Sequence, residues 1–133
     1  MNKRQEGFTM IEVLVVIAII AVLSSMVAVY ILQYISKAED AALKENAQTL
    51  LTVAVVFFHS SQNYNGLCET AIVMQIKDSM PLAKNCNVAL DNLSFAFCAQ
   101  TEVNKSKAWC VDSTGIKKEI NNLDCTGSIT SCP

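Results

Sequence analysis

Phe8-Thr9-Met10-Ile11-Glu12-Val13-Leu14-Val15-Val16-Ile17-Ala18-Ile19-Ile20-Ala21-Val22-Leu23 opens an apolar run that reaches Leu32 with Glu12 as its only charge. After Glu12 the run lasts about 20 residues, broken only by Ser24 and Ser25, and at about 1.5 Å per residue that spans a bilayer as a helix. An ordinary secretory signal has a shorter apolar core of about 7–15 residues, followed by a small-residue cleavage site. An inserted helix therefore fits better than a removed signal. Lys3 and Arg4 precede the run. Basic residues hold their end of a span in the cytoplasm, so everything after the span is expected on the other side.

Outward from this block, the 133-residue chain suits one small soluble part of under about 100 residues. A head of that size often needs cross-links. Six cysteines, Cys68, Cys86, Cys98, Cys110, Cys125 and Cys132, all follow the apolar run. Their spacings of 18, 12, 12, 15 and 7 contain no close C-x-x-C pair of the kind that binds zinc. An even number on the non-cytoplasmic side reads as disulfides in an oxidising compartment. The formal net charge of -2, with no basic stripe, gives no support for direct nucleic-acid binding.

No Gly or Pro occurs between Phe8 and Tyr64. Nothing in the sequence stops the helix where it leaves the membrane, so one helix is expected from Phe8 to Ser60, with a transmembrane half at 8–35 and an amphipathic half at 36–60. Leu43, Ala47, Leu50, Ala54, Phe57 and Phe58 fall on one face of the second half. Asp40 and Lys44 are spaced for an i,i+4 pair. Asn63-Tyr64-Asn65-Gly66 reads as the terminating turn. A short helix is expected over Leu67–Lys77, then a loop through Pro81 and the Asn-rich stretch after it. Ser94–Gln100 and Lys107–Asp112 read as strands, and Ile116–Ile120 as a third. The expected fold is α+β: a long N-terminal α-helix packed on a small antiparallel β-sheet in a disulfide-bonded head, residues 61–133.

Six cysteines allow fifteen pairings. A hairpin centred near Asn104 would set Cys98 facing Cys110. Cys125 and Cys132 would close a short C-terminal loop, which leaves Cys68 with Cys86. No catalytic residue, metal or cofactor is expected. His59 is the only histidine and has no partner at ligand spacing. Asp112-Ser113-Thr114-Gly115 is turn chemistry before it is part of a triad with His59. Asp112 and Asp124 do not fall at the spacing of a calcium loop.

A carboxylate within a membrane helix costs roughly 2.5–3.5 kcal/mol on insertion scales. Glu12 therefore either stays solvated at the interface or has a cationic partner. Gly7-Phe8-Thr9-Met10-Ile11-Glu12-Val13, after a short basic leader, resembles the processing signal of type IV pilins and type II secretion pseudopilins. The resemblance implies a leader at 1–7 and a cut between Gly7 and Phe8 by prepilin peptidase. It also implies N-methylation of Phe8, and contact of Glu12 with the new amine of a neighbouring subunit. It further implies identical or related pilin subunits, an inner-membrane assembly platform and the lipid bilayer as partners. The subunit would sit in the inner membrane as a single-pass protein before joining an extracellular or periplasmic filament. The chain departs from the family where many pilins have a Gly and then a Pro in the first half of the helix. The corresponding positions are Ala21 and Val29, so the helix is expected to run unbroken. The alternatives to a pilus subunit are a type II secretion pseudopilin and an anchored binding domain that never assembles.

Overall fold

The computed structural model describes residues 7–133, so Lys3, Arg4 and the leader up to residue 6 lie outside the described residues. The chain divides into two units, residues 1–35 and Ser36–Pro133. Helix α1 (Met10–Ser61) contributes to both. It passes through Ala21 and Val29 without a break, as the absence of Gly and Pro allows.

In the first unit every described residue, from Gly7 to Ile35, is exposed. This half of α1 is apolar all round and long enough to cross a membrane. A helix without a polar face has no stable arrangement alone in water, so lipid or other helices must surround it.

The second unit begins where polar residues enter α1. Leu43, Ala47, Leu50 and Ala54 are buried at helical spacing, with Phe57 and Phe58 half-buried beside them. Gln62 ends the helix with φ 57°, donating its N–H to the Phe58 carbonyl at 2.8 Å. Tyr64 then packs between Phe58 and Phe95 with tilted rings, centroids 4.9 and 4.8 Å away. The segment expected as one helix at 67–77 is a 3-10 turn (Leu67–Glu69) followed by α2 (Ala71–Asp78). Thr70, extended at ψ 143°, separates the two.

The sheet has four antiparallel strands in the order β1 (Lys84–Val88), β2 (Phe95–Gln100), β3 (Lys107–Asp112) and β4 (Lys117–Asn121). A short helix, α3 (Asn122–Cys125), follows. Strand β1 was not expected, because its asparagines carry little β-propensity. Its alternation explains it. Cys86 and Val88 pack against the helix-facing core. Asn85 and Asn87 donate side-chain N–H groups to the Cys125 and Gly127 carbonyls.

That alternation makes the sheet two-sided. Phe95, Phe97, Ala99 and Val111 join the α1 stripe in one core. Cys98, Ala108, Cys110 and Ile120 form a second core with Cys125 and Cys132. The head is thus three layers, with the C-terminal segment 122–133 as the third.

The disulfides follow this layering. Cys68 bridges Cys86. The expected pairs Cys98–Cys110 and Cys125–Cys132 are replaced by Cys98–Cys125 and Cys110–Cys132. Cys98 and Cys110 do face each other across β2 and β3. Both point into the C-terminal layer, and each bonds to a cysteine of that layer rather than to its neighbour.

The expected Asp40–Lys44 pair also gives way to other partners. Asp40 accepts from the backbone N–H groups of Glu102 and Val103. The Lys44 ammonium lies 4.8 Å from the centre of the Trp109 ring.

Asp112 is 1% exposed and holds the third layer in place. Its Oδ2 accepts from the Cys132 N–H at 2.9 Å, and its Oδ1 accepts from Thr114 and from the Ile116 N–H. Burial pushes its carboxyl pKa up, but the hydrogen bonds from Thr114, Cys132 and Ile116 outweigh burial and hold it below the usual 3.8. A lowered native pKa stabilises the fold above the unfolded value, and the gain is lost as pH falls through the native one. Asp112→Asn should destabilise the head by about 2 kcal/mol, since hydrogen bonds to charged groups are each worth about 1.5–3. It should also flatten the loss of stability below about pH 4. Denaturation of the full chain in detergent, followed by Trp109 fluorescence across pH, measures both.

Candidate processing and assembly site

Gly7, Phe8 and Thr9 precede the first turn of α1. Among the described residues, nothing lies within 4 Å of the position a Cβ on Gly7 would take, and Phe8 is 83% exposed. The cut expected between them falls before helix α1, in a segment with no regular secondary structure.

Helix α1 starts with a reciprocal cap. The Glu12 N–H donates to Thr9 Oγ1 at 3.4 Å. Glu12 Oε2 in turn accepts from the Thr9 N–H at 2.8 Å and from the Thr9 hydroxyl at 2.7 Å. This is a capping box, Thr-x-x-Glu, which supplies partners for N–H groups that have none within the helix. The carboxylate also sits at the positive end of the helix dipole. From the sequence, Glu12 is expected to meet solvent or a cation. The signal for the cap was present in Thr9-Met10-Ile11-Glu12 before an apolar run. The structure thus gives Glu12 a local partner within its own chain, and it places Phe8 next to that cap.

Asp112 is engaged in the fold. Both Asp112 oxygens are taken by the turn after β3 and by Cys132. His59 is exposed in the last turn of α1. Among the described residues, no group of three or more His, Cys, Asp or Glu is placed to hold a metal ion.

Residues 2–28 match the family model of the prokaryotic N-terminal methylation motif. Over 64 residues the chain is 30% identical to the type IV major pilin protein PilA of Myxococcus xanthus, an alignment covering 48% of this chain and 29% of that protein. The chain thus spans under a third of the length of the curated relative it matches. No solved structure matches significantly. This motif leads an exposed apolar helix, with an α+β head closed by three disulfides after it, and in these features the chain is similar to type IV pilins.

Proposed function

We propose that this chain is a structural subunit of a type IV pilus-like filament. The observation that carries the reading is the Gly7-Phe8 junction with Glu12 at the head of a helix whose first half is exposed and apolar throughout. In this reading prepilin peptidase removes residues 1–7 at the cytoplasmic face, and the new amine of Phe8 is methylated. Residues 8–35 hold the subunit in the inner membrane. Residues 36–60 carry the head, 61–133, on the far side. Cleavage removes Lys3, Arg4 and Glu6, which shifts the formal net charge from -2 to -3 before termini are counted.

Assembly then follows from solvation. The first half of α1 exchanges lipid for the helices of like subunits, and an assembly platform drives the transfer. Lipid and helix are similarly apolar, so this exchange alone selects no position. A carboxylate does select one. Glu12 loses its remaining hydration inside a bundle, and the amine at Phe8 of a neighbour offsets that cost only in one register. The function is mechanical, and no reaction is assigned to the head. The similarity to a major pilin favours the pilus over a secretion pseudopilus.

Shearing the cell surface and pelleting filaments tests the reading. The chain should be found in the pellet with its N-terminus at Phe8, and Gly7→Leu should leave it uncut in the membrane. A Cβ at Gly7 meets no atom of the described residues, and Gly7 lies before helix α1, so a loss would report on the peptidase rather than on the fold of the head. Processed chain confined to the membrane, with filaments made of other subunits, would contradict the proposal.

A further inference from the structure

The chain contains two Asn-x-Ser triplets without Pro between, Asn92-Leu93-Ser94 and Asn104-Lys105-Ser106. That triplet is the acceptor sequence for N-linked sugars on exported proteins, and only a surface loop can use it. We infer that Asn104 is an N-glycosylation site and that Asn92 is not.

The two triplets lie in different surroundings. Val103, Asn104, Lys105 and Ser106 are all exposed at the tip of the β2–β3 connection. Asn104 Oδ1 accepts from the Ser106 N–H at 3.1 Å and from the Ser106 hydroxyl at 2.7 Å. The third residue of the triplet is therefore folded onto the acceptor carboxamide. Two donors on the oxygen draw charge from the amide and make its N–H more acidic, which aids a nitrogen that must lose a proton to react. No hydrogen bond engages Asn104 Nδ2 among the described residues.

Asn92 is half-buried in the tight β1–β2 turn with φ 58°. Its carbonyl accepts from the Tyr64 N–H at 2.8 Å, and its own N–H donates to Ala89 at 2.9 Å. The turn is closed by Asp91, which accepts from the Leu93 N–H. Presenting Asn92 to an enzyme would mean opening this hairpin away from Tyr64.

The Asn104 loop is held in its presenting shape. The Asp40 carboxylate grips the N–H groups of Glu102 and Val103. Thr101 Oγ1 donates to the Asn104 carbonyl at 2.8 Å. Beside Asn104 an open groove of about 290 Å³ is walled by Lys37, Asp40, Lys44, Thr101 and Glu119. Lys37 and Glu119 on its walls can hydrogen-bond the first sugar.

The donor is a sugar carried on a membrane lipid diphosphate, and the catalyst is a membrane oligosaccharyltransferase. Asn104 Nδ2 attacks the anomeric carbon and forms a C–N bond. The bond from that carbon to the diphosphate oxygen breaks, and its electron pair leaves with the lipid diphosphate. One Nδ2 proton passes to a carboxylate of the transferase. The inference rests on the reading above only in placing the head outside the cytoplasm.

The test is peptide mass spectrometry of the full chain purified from the cells that make it. Reduction and cleavage after glutamate release Val103–Glu119, which contains Asn104 without Asn92. Most copies of this peptide should carry added hexose or N-acetylhexosamine masses on Asn104. Asn104→Gln and Ser106→Ala should each remove them, Ser106→Thr should keep them, and Asn92→Gln should change nothing. An unmodified peptide in a chain that already starts at Phe8 overturns this inference and leaves the filament reading standing. Sugar on Asn92 in place of Asn104 overturns it as well.

Discussion

Glu12→Gln should cut filament yield by about two orders of magnitude while leaving the subunit in the membrane. The substitution isolates charge. Glutamine at this position still accepts from Thr9, because a capping box takes Glu or Gln at its fourth residue. The start of α1 is therefore expected to persist, and insertion should if anything improve, since the insertion cost of a carboxylate, about 2.5–3.5 kcal/mol, disappears. What is lost, in the proposed filament, is the ion pair with the amine of a neighbour. Breaking a buried pair by removing one partner costs about 3–5 kcal/mol, and about 1.4 kcal/mol is a factor of ten. Quantitative blotting of sheared and membrane fractions measures both pools. Filaments at the parental level would mean that Glu12 serves only as the helix cap, which Thr9 already makes possible.

Removing the Cys110–Cys132 bridge by a double alanine substitution should destabilise the head by about 3 kcal/mol. On a chain-entropy basis a closed loop of 22 residues gives about that figure. The effect should be large because the third layer has few other holds. Segment 122–133 is fastened by two bridges, by Asn85 and Asn87, and by Asp112. The single Asp112→Asn change should then cost less than usual in the double-alanine background, since both act on the position of Cys132. Chemical denaturation of the four chains, with a non-additive result, is the expected outcome. Full additivity would show that Asp112 acts on its own turn and not on the C-terminal layer.

What could be read in the sequence was whatever depends on local pattern. The length of α1 followed from a missing Gly and Pro, and its buried stripe from spacing at Leu43, Ala47, Leu50 and Ala54. Strands β2 and β3 followed from their hydrophobic residues. What failed depends on a third layer. Cys98 and Cys110 were rightly placed face to face, but adjacency across a sheet does not decide bonding when another segment covers the pair. Strand β1 was missed for the same reason, because Asn85 and Asn87 make sense only once the 125–127 backbone lies above them. Asp40 was assigned to its helical neighbour, yet two backbone N–H groups some 60 residues away in the chain compete better for it. At the N-terminus the motif was legible and the cap was not, although Thr9 and Glu12 carry its spacing.

Intact mass and N-terminal sequencing of the protein from its own membrane and filament fractions show whether the chain is processed and assembled as proposed. The chain should begin at N-methylated Phe8, with a mass six hydrogens below the reduced value and linked peptides joining Cys68 to Cys86, Cys98 to Cys125 and Cys110 to Cys132. A chain still beginning at Met1, or one cut beyond the apolar run, would contradict it.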